Sequence, residues 1–265
     1  MPAIDLARLA REVERLEALY GSPEELRRAT LDVLGFYAQR ARRAPDSAEV
    51  MDGERALGVP PPVVRAIGAG LHAQARRAPA AGVPVAAALW DAAEREARVL
   101  ACWVLSALPQ EQVATWLEAR AADLDDPAVL KAAVERGLEA WRRADGKAYV
   151  AQLDRWIASP RSAVQALGLR ALEAGLDLPE LEDLQYAFQA LARLPRPVRA
   201  EARRALESVL ICLAERSPAE MTRFLLDEIE RQVPGIEKLA RSLAGRLPPA
   251  QRERLTAALA IAGRK

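Results

Sequence analysis

The sequence predicts an all-α protein built as a solenoid of stacked helical hairpins. Three observations carry that prediction. Ala, Leu, Arg and Glu, all good helix formers, dominate the 265 residues, while aromatics make up only 5% and β-branched residues are sparse. Apolar positions recur at three- and four-residue spacing almost from end to end, the period of helices that bury one stripe. Prolines fall between these stripes and rarely within them, where they open helices rather than break them.

The first helix is predicted over 3–19, where Ile4, Leu6, Leu9, Val13 and Leu16 make one amphipathic stripe. Ser22-Pro23-Glu24-Glu25 reads as a capping box that opens 23–43. Its hydroxyl would accept an early backbone N–H, with Pro at the first helical position and Glu reaching back. Helices over 61–77 and 84–91 follow. Over 92–107 the apolar residues Val99, Leu100, Cys102, Trp103, Val104 and Leu105 are nearly continuous, which predicts burial on most sides. Next come 110–123, then 127–143 behind Asp126-Pro127, then 147–158, then 160–174 behind Ser159-Pro160. Helices over 179–193, 197–215, 218–231, 236–245 and 249–261 complete the chain, with Ser217-Pro218-Ala219-Glu220 a second capping box.

Links this short pair successive helices as antiparallel hairpins. The pairs 110–123/127–143 and 147–158/160–174 have the two-helix size of HEAT-type repeats. Stacked hairpins curve, and the curvature makes a concave face lined by the second helix of each pair. The expectation is one domain, 1–265, folded as an irregular, right-handed HEAT-like α-solenoid. A compact helical bundle is the rival architecture.

Composition narrows the function classes. With 38 Lys+Arg against 37 Asp+Glu, the net charge of +1 is far from that of a strongly basic nucleic-acid binder or an acidic tail. No apolar run reaches the length of a membrane span, and the N-terminal stretch carries acids where a signal peptide would not. A soluble, cytoplasmic protein is therefore expected, with no membrane partner. The 34 arginines against four lysines, and the absence of Asn, read as genome composition more than as selection for phosphate contacts. His72 stands alone, and Cys102 and Cys212 lie far apart within apolar stripes, so no metal and no cofactor are expected. No G-x-S-x-G, P-loop, G-x-G-x-x-G or C-x-x-C motif is present. Trp90, Trp103, Trp116, Trp141 and Trp156 are scattered along the middle of the chain, which suits helix packing better than base stacking. The doublets Arg27-Arg28, Arg42-Arg43, Arg76-Arg77, Arg142-Arg143 and Arg203-Arg204 fall mostly late in helices, where they complement the helix dipole.

Three segments carry a family resemblance: GVPPPVVRAI (58–67), LWDAAEREARVLACWVL (89–105) and RWIASPRSAVQALGLRAL (155–172). They resemble the G-V-x-x-P-x-[VL]-R, L-W-x-x-x-x-x-E-x-x-x-x-A and K-W-x-x-S segments of the HEAT-like DNA glycosylases, the bacterial DNA alkylation repair family. The resemblance covers about 55–218 and leaves 219–265 as additional C-terminal helices. It implies a curved solenoid that grips duplex DNA on its concave face and hydrolyses cationic N3- and N7-alkylated purines without flipping the base. The family's site combines a W-x-x-x-D, an Arg early in the helix after the K-W-x-x-S segment, and a later Trp. At those positions this chain carries Pro127 and Lys131, Ala166, and Ser208. A lysine repels the oxocarbenium charge that the family's Asp would stabilise. Asp125 and Asp126 lie at the helix start and read as caps.

The function expected is a non-catalytic, HEAT-like binding protein of the DNA repair class that holds duplex DNA through its backbone, without sequence preference. Lys131, Arg161, Arg170 and Arg204 are the candidate phosphate contacts, with Arg142, Arg143 and Arg203 as further candidates. Glu135, Glu173 and Glu201 oppose three of them and leave the groove nearly neutral. That balance keeps two alternatives open: a scaffold that binds a protein partner on the concave face, and a divergent alkylpurine glycosylase with a relocated site.

Overall fold

The computed structural model describes residues 4–42, 56–178, 181 and 184–263, and none of them is in a strand. They fall into two compact units, Met1–Arg143 and Ala144–Lys265. The architecture is all-α and of the helical-repeat, solenoid class.

The first unit holds α1 (Leu6–Ala18), α2 (Pro23–Arg42), α3 (Pro61–Arg77), α4 (Gly82–Asp91), α5 (Arg95–Leu105), α6 (Gln110–Ala119), α7 (Pro127–Ala132) and α8 (Glu139–Ala144). Here α1 packs on α3, α3 on α5, α5 on α7, and α2 on α4. Contact between a helix and the next but one is the signature of hairpins stacked in two layers. The second unit holds α9 (Gly146–Ile157), α10 (Ser162–Gly175), α11 (Gln185–Ala192), α12 (Ala200–Arg216), α13 (Pro218–Glu230), α14 (Ile236–Ala244) and α15 (Pro249–Ala262). It repeats the pattern, with α10 on α12 and α13 on α15.

Most helix starts have the expected cause. Asp5, Asp126 and Asp145 each cap a helix by accepting backbone N–H groups, from Arg8, from Ala128 and Val129, and from Ala148. Several expected starts differ. Ser217 precedes α13 but makes no capping hydrogen bond; Pro218 at the first helical position sets the entry without it. The helix expected from 160 begins at Ser162, because Ser159 Oγ accepts the Arg161 N–H and holds 159–161 as a turn. The helix expected over 92–107 starts at Arg95, since Ala93 adopts φ of +64° and closes α4 off from α5. The long helix expected over 127–143 is interrupted: a π-turn occupies Ala133–Gly137 between α7 and α8. Arg43, Lys265 and the start of the helix expected from 179 lie outside the described residues.

Four of the five tryptophans are core residues: Trp90, Trp116, Trp141 and Trp156. Trp90 and Trp116 meet edge to face with ring centroids 4.8 Å apart. Trp103 is half-buried. Among the described residues no helix is long and apolar enough to cross a membrane.

Candidate nucleic-acid interface

The three resemblance segments hold the scaffold together. Glu96 on α5 is buried, and its carboxylate accepts the backbone N–H groups of Leu57, Gly58 and Val59 at 3.0, 2.8 and 3.2 Å. Gly58 supplies the turn with φ of +79°, a left-handed value that favours glycine. The first segment is therefore tied to the second by one carboxylate. In the third, Trp156 is fully buried on α9, and a Cβ at Gly168 of α10 would lie 2.7 Å from Trp156 Cβ. Only glycine lets those two helices approach so closely.

In the first unit, Pro127 is exposed at the start of α7. Lys131, with 69% of its side chain exposed, lies 3.9 Å from an exposed Glu135. Asp126, the N-cap of α7, is fully engaged. Its Oδ1 accepts from Ala128 and Val129, and its Oδ2 accepts from Arg95 Nε at 2.6 Å. Burial opposes ionisation of this group. The Arg95 hydrogen bond and the two N–H groups outweigh it and hold the carboxyl below the usual aspartate value. Asp125 is exposed.

The π-turn organises the next residues. Arg136 projects from it over the Trp103 ring, its guanidinium carbon 4.1 Å from the ring centroid. Glu139 then bridges two arginines: Oε2 accepts from Arg136, and Oε1 lies 2.7 Å from Arg143 Nη2. Arg142 turns back and donates to the Val134 and Glu135 carbonyls at 2.6 and 3.0 Å. Those oxygens belong to the turn itself, where wider winding leaves α-type pairing incomplete.

In the second unit, Ala166 is half-buried on α10. Ser208 on α12 donates to Glu173 Oε1 at 2.7 Å, and Arg170 donates to Glu173 Oε2 at 2.9 Å. Two of the sequence candidates thus converge on one carboxylate. Cys212 also faces Glu173 at 3.5 Å; burial, then that charge, push its thiol up, the reverse of what a nucleophile needs. Arg161, Arg204 and Glu201 are exposed. Arg203 donates to the Val198 carbonyl at 3.2 Å.

His72 is 2.8 Å from Ser106 Oγ, whose own proton goes to the Trp103 carbonyl at 2.7 Å. The same Nδ1 is 3.3 Å from the Trp103 carbonyl, so His72, Ser106 and that carbonyl form one local cluster between α3 and α5. Cys102 and Cys212 are free thiols; burial pushes Cys102 up to about 12. Among the described residues no group of three or more His, Cys, Asp or Glu is placed to hold a metal.

The model of one family, described as DNA alkylation repair enzyme, matches residues 33–242. The chain belongs to that family. No curated protein and no solved structure matches it. The DNA alkylation repair match extends beyond the 55–218 read from the three segments, to take in the second half of α2, all of α13 and much of α14. Sequence reasoning missed Arg136, Glu139 and Trp103 as a group in this family member. The available signal was the i, i+3, i+7 spacing of Arg136, Glu139 and Arg143, but a π-turn between α7 and α8 leaves no periodic trace.

Proposed function

We propose that this DNA alkylation repair family member binds duplex DNA through its phosphates in the reducing cytoplasm, without sequence preference and without excising a base. The observation that carries the reading is a cation at the family's acid position, with the capping aspartate of the same helix committed elsewhere. Lys131 stands there, and Asp126, one turn away, has both oxygens committed to a helix cap and to Arg95. Pro127, Ala166 and Ser208 stand at the other three positions, and Ser208 is engaged with Glu173. A cation at the acid position raises the cost of the charge that glycosidic cleavage develops.

Phosphate binding needs none of those groups. Exposed Lys131, Arg161 and Arg204, together with Arg170, supply cations on both units. Four phosphate contacts would give log K against log salt a slope of roughly −3 to −4. The test is fluorescence anisotropy of a labelled duplex across a salt series, with plain and methylated DNA side by side. Equal, steeply salt-dependent binding to both supports the reading; no binding at low salt rejects it. The protein-scaffold reading is favoured by one feature, the closed Arg170–Glu173–Ser208 network, which leaves little free charge on that face. Salt-insensitive capture of a protein partner would move it to the front.

A further inference from the structure

The group around the π-turn carries an inference that rests on the duplex-DNA reading and deepens it. Between Lys131 and Arg143 stand four cations and two carboxylates. One of those carboxylates, Glu139, holds Arg136 and Arg143 on its two separate oxygens. A single negative charge shared by two guanidiniums leaves one positive charge over. Both arginines reach solvent, with 40% and 78% of their side chains exposed, while Glu139 is only 24% exposed.

Arg136 is also fixed in place before any ligand arrives. Its guanidinium lies on the indole of Trp103, and that indole is itself backed by Gly68, where a Cβ would sit 2.6 Å from the ring atoms. Arg142 pins the backbone from which Arg136 projects, through the Val134 and Glu135 carbonyls. Little side-chain entropy remains to be lost when this guanidinium takes a new acceptor. A phosphodiester offers what Glu139 offers: one negative charge on two oxygens, a match to paired guanidinium donors.

The geometry points to a phosphate-exchange site, in which a backbone phosphate of duplex DNA displaces Glu139 from Arg136 and Arg143, with Glu139 acting as an internal competitor that sets the affinity. A single free anion would gain little from the exchange, because it replaces an acceptor of equal charge already in place. A polyanion gains more, since Lys131 lies on the same segment and releasing counterions favours each added contact.

The experiment is duplex anisotropy over a salt series with the full chain and the variants Arg136→Gln, Arg136→Lys, Glu139→Gln and, as a surface control, Arg241→Gln. Circular dichroism melts accompany each. Arg136→Gln should weaken binding about tenfold, the worth of one charged hydrogen bond, and reduce the salt slope by about 0.9. Arg136→Lys keeps the charge and loses the fork, so it should fall between the two. Glu139→Gln removes the competitor and should tighten binding about tenfold, a gain that damaged folding cannot produce. Arg241→Gln should match the wild type. Wild-type binding that none of the Arg136 and Glu139 variants alters overturns the exchange site and leaves the duplex reading standing. No wild-type binding at the lowest salt overturns both.

Discussion

Glu96 illustrates how much of this protein one side chain can hold. Three consecutive backbone N–H groups have no helix to satisfy them, and a single buried carboxylate accepts all three. Glu96→Ala should therefore destabilise the first unit by about 3 kcal/mol, read as a lower urea midpoint at unchanged m. Asp126 gives a pH prediction. Its carboxyl is held below the ordinary value of 3.8, with burial opposed by Arg95 and two N–H groups. A depressed carboxyl stabilises the fold above its unfolded value, and that contribution disappears as pH falls through the lower folded value. Asp126→Asn keeps a capping oxygen but loses the Arg95 pair, so it should cost about 2 kcal/mol at neutral pH. The gap from wild type should narrow once pH drops below 3.8 and close further down. A gap that persists unchanged into strong acid would show that Arg95 is indifferent to the charge.

At the scale of elements, the helix boundaries were largely legible, because their causes are local. Proline at 61, 127, 218 and 249 opens α3, α7, α13 and α15. The π-turn was not legible. Nothing in Ala133–Gly137 differs in periodicity from a helix; the interruption is held open by Arg142 closing on carbonyls seven and eight residues back. Helix approach is likewise a matter of what lies opposite. Gly168→Ala puts a Cβ 2.7 Å from Trp156 Cβ and 3.0 Å from the Ile157 nitrogen. It should cost about 2 kcal/mol through overpacking, seen as a lowered melting temperature. Gly245→Ala, with nothing within 4 Å, should change stability by no more than about 0.5 kcal/mol.

For the whole molecule, the proposed function predicts no release of 7-methylguanine or 3-methyladenine from methylated duplex DNA. Lys131→Asp alone should not create activity, because Pro127, Ala166 and Ser208 would still lack the partners the family's site uses. Chromatographic detection of freed base by either protein would show that the reacting groups stand elsewhere in the chain. The all-α class, the order and limits of most helices, and membership of the DNA alkylation repair family, matched over 33–242, are all readable along the chain. Propensity, apolar period and capping act over a few residues and can be read along the chain. The Lys131–Glu135 and Arg170–Glu173 pairs follow local spacing, whereas only tertiary structure decided the partners that cross elements. Arg170 and Ser208 share Glu173 across two helices, Asp126 is spent on Arg95, and Arg136 lies on Trp103. Those partners are 31 to 35 residues apart in the chain where they cross elements. Coulomb and hydrogen-bond energies depend on distance in space, which no local spacing encodes.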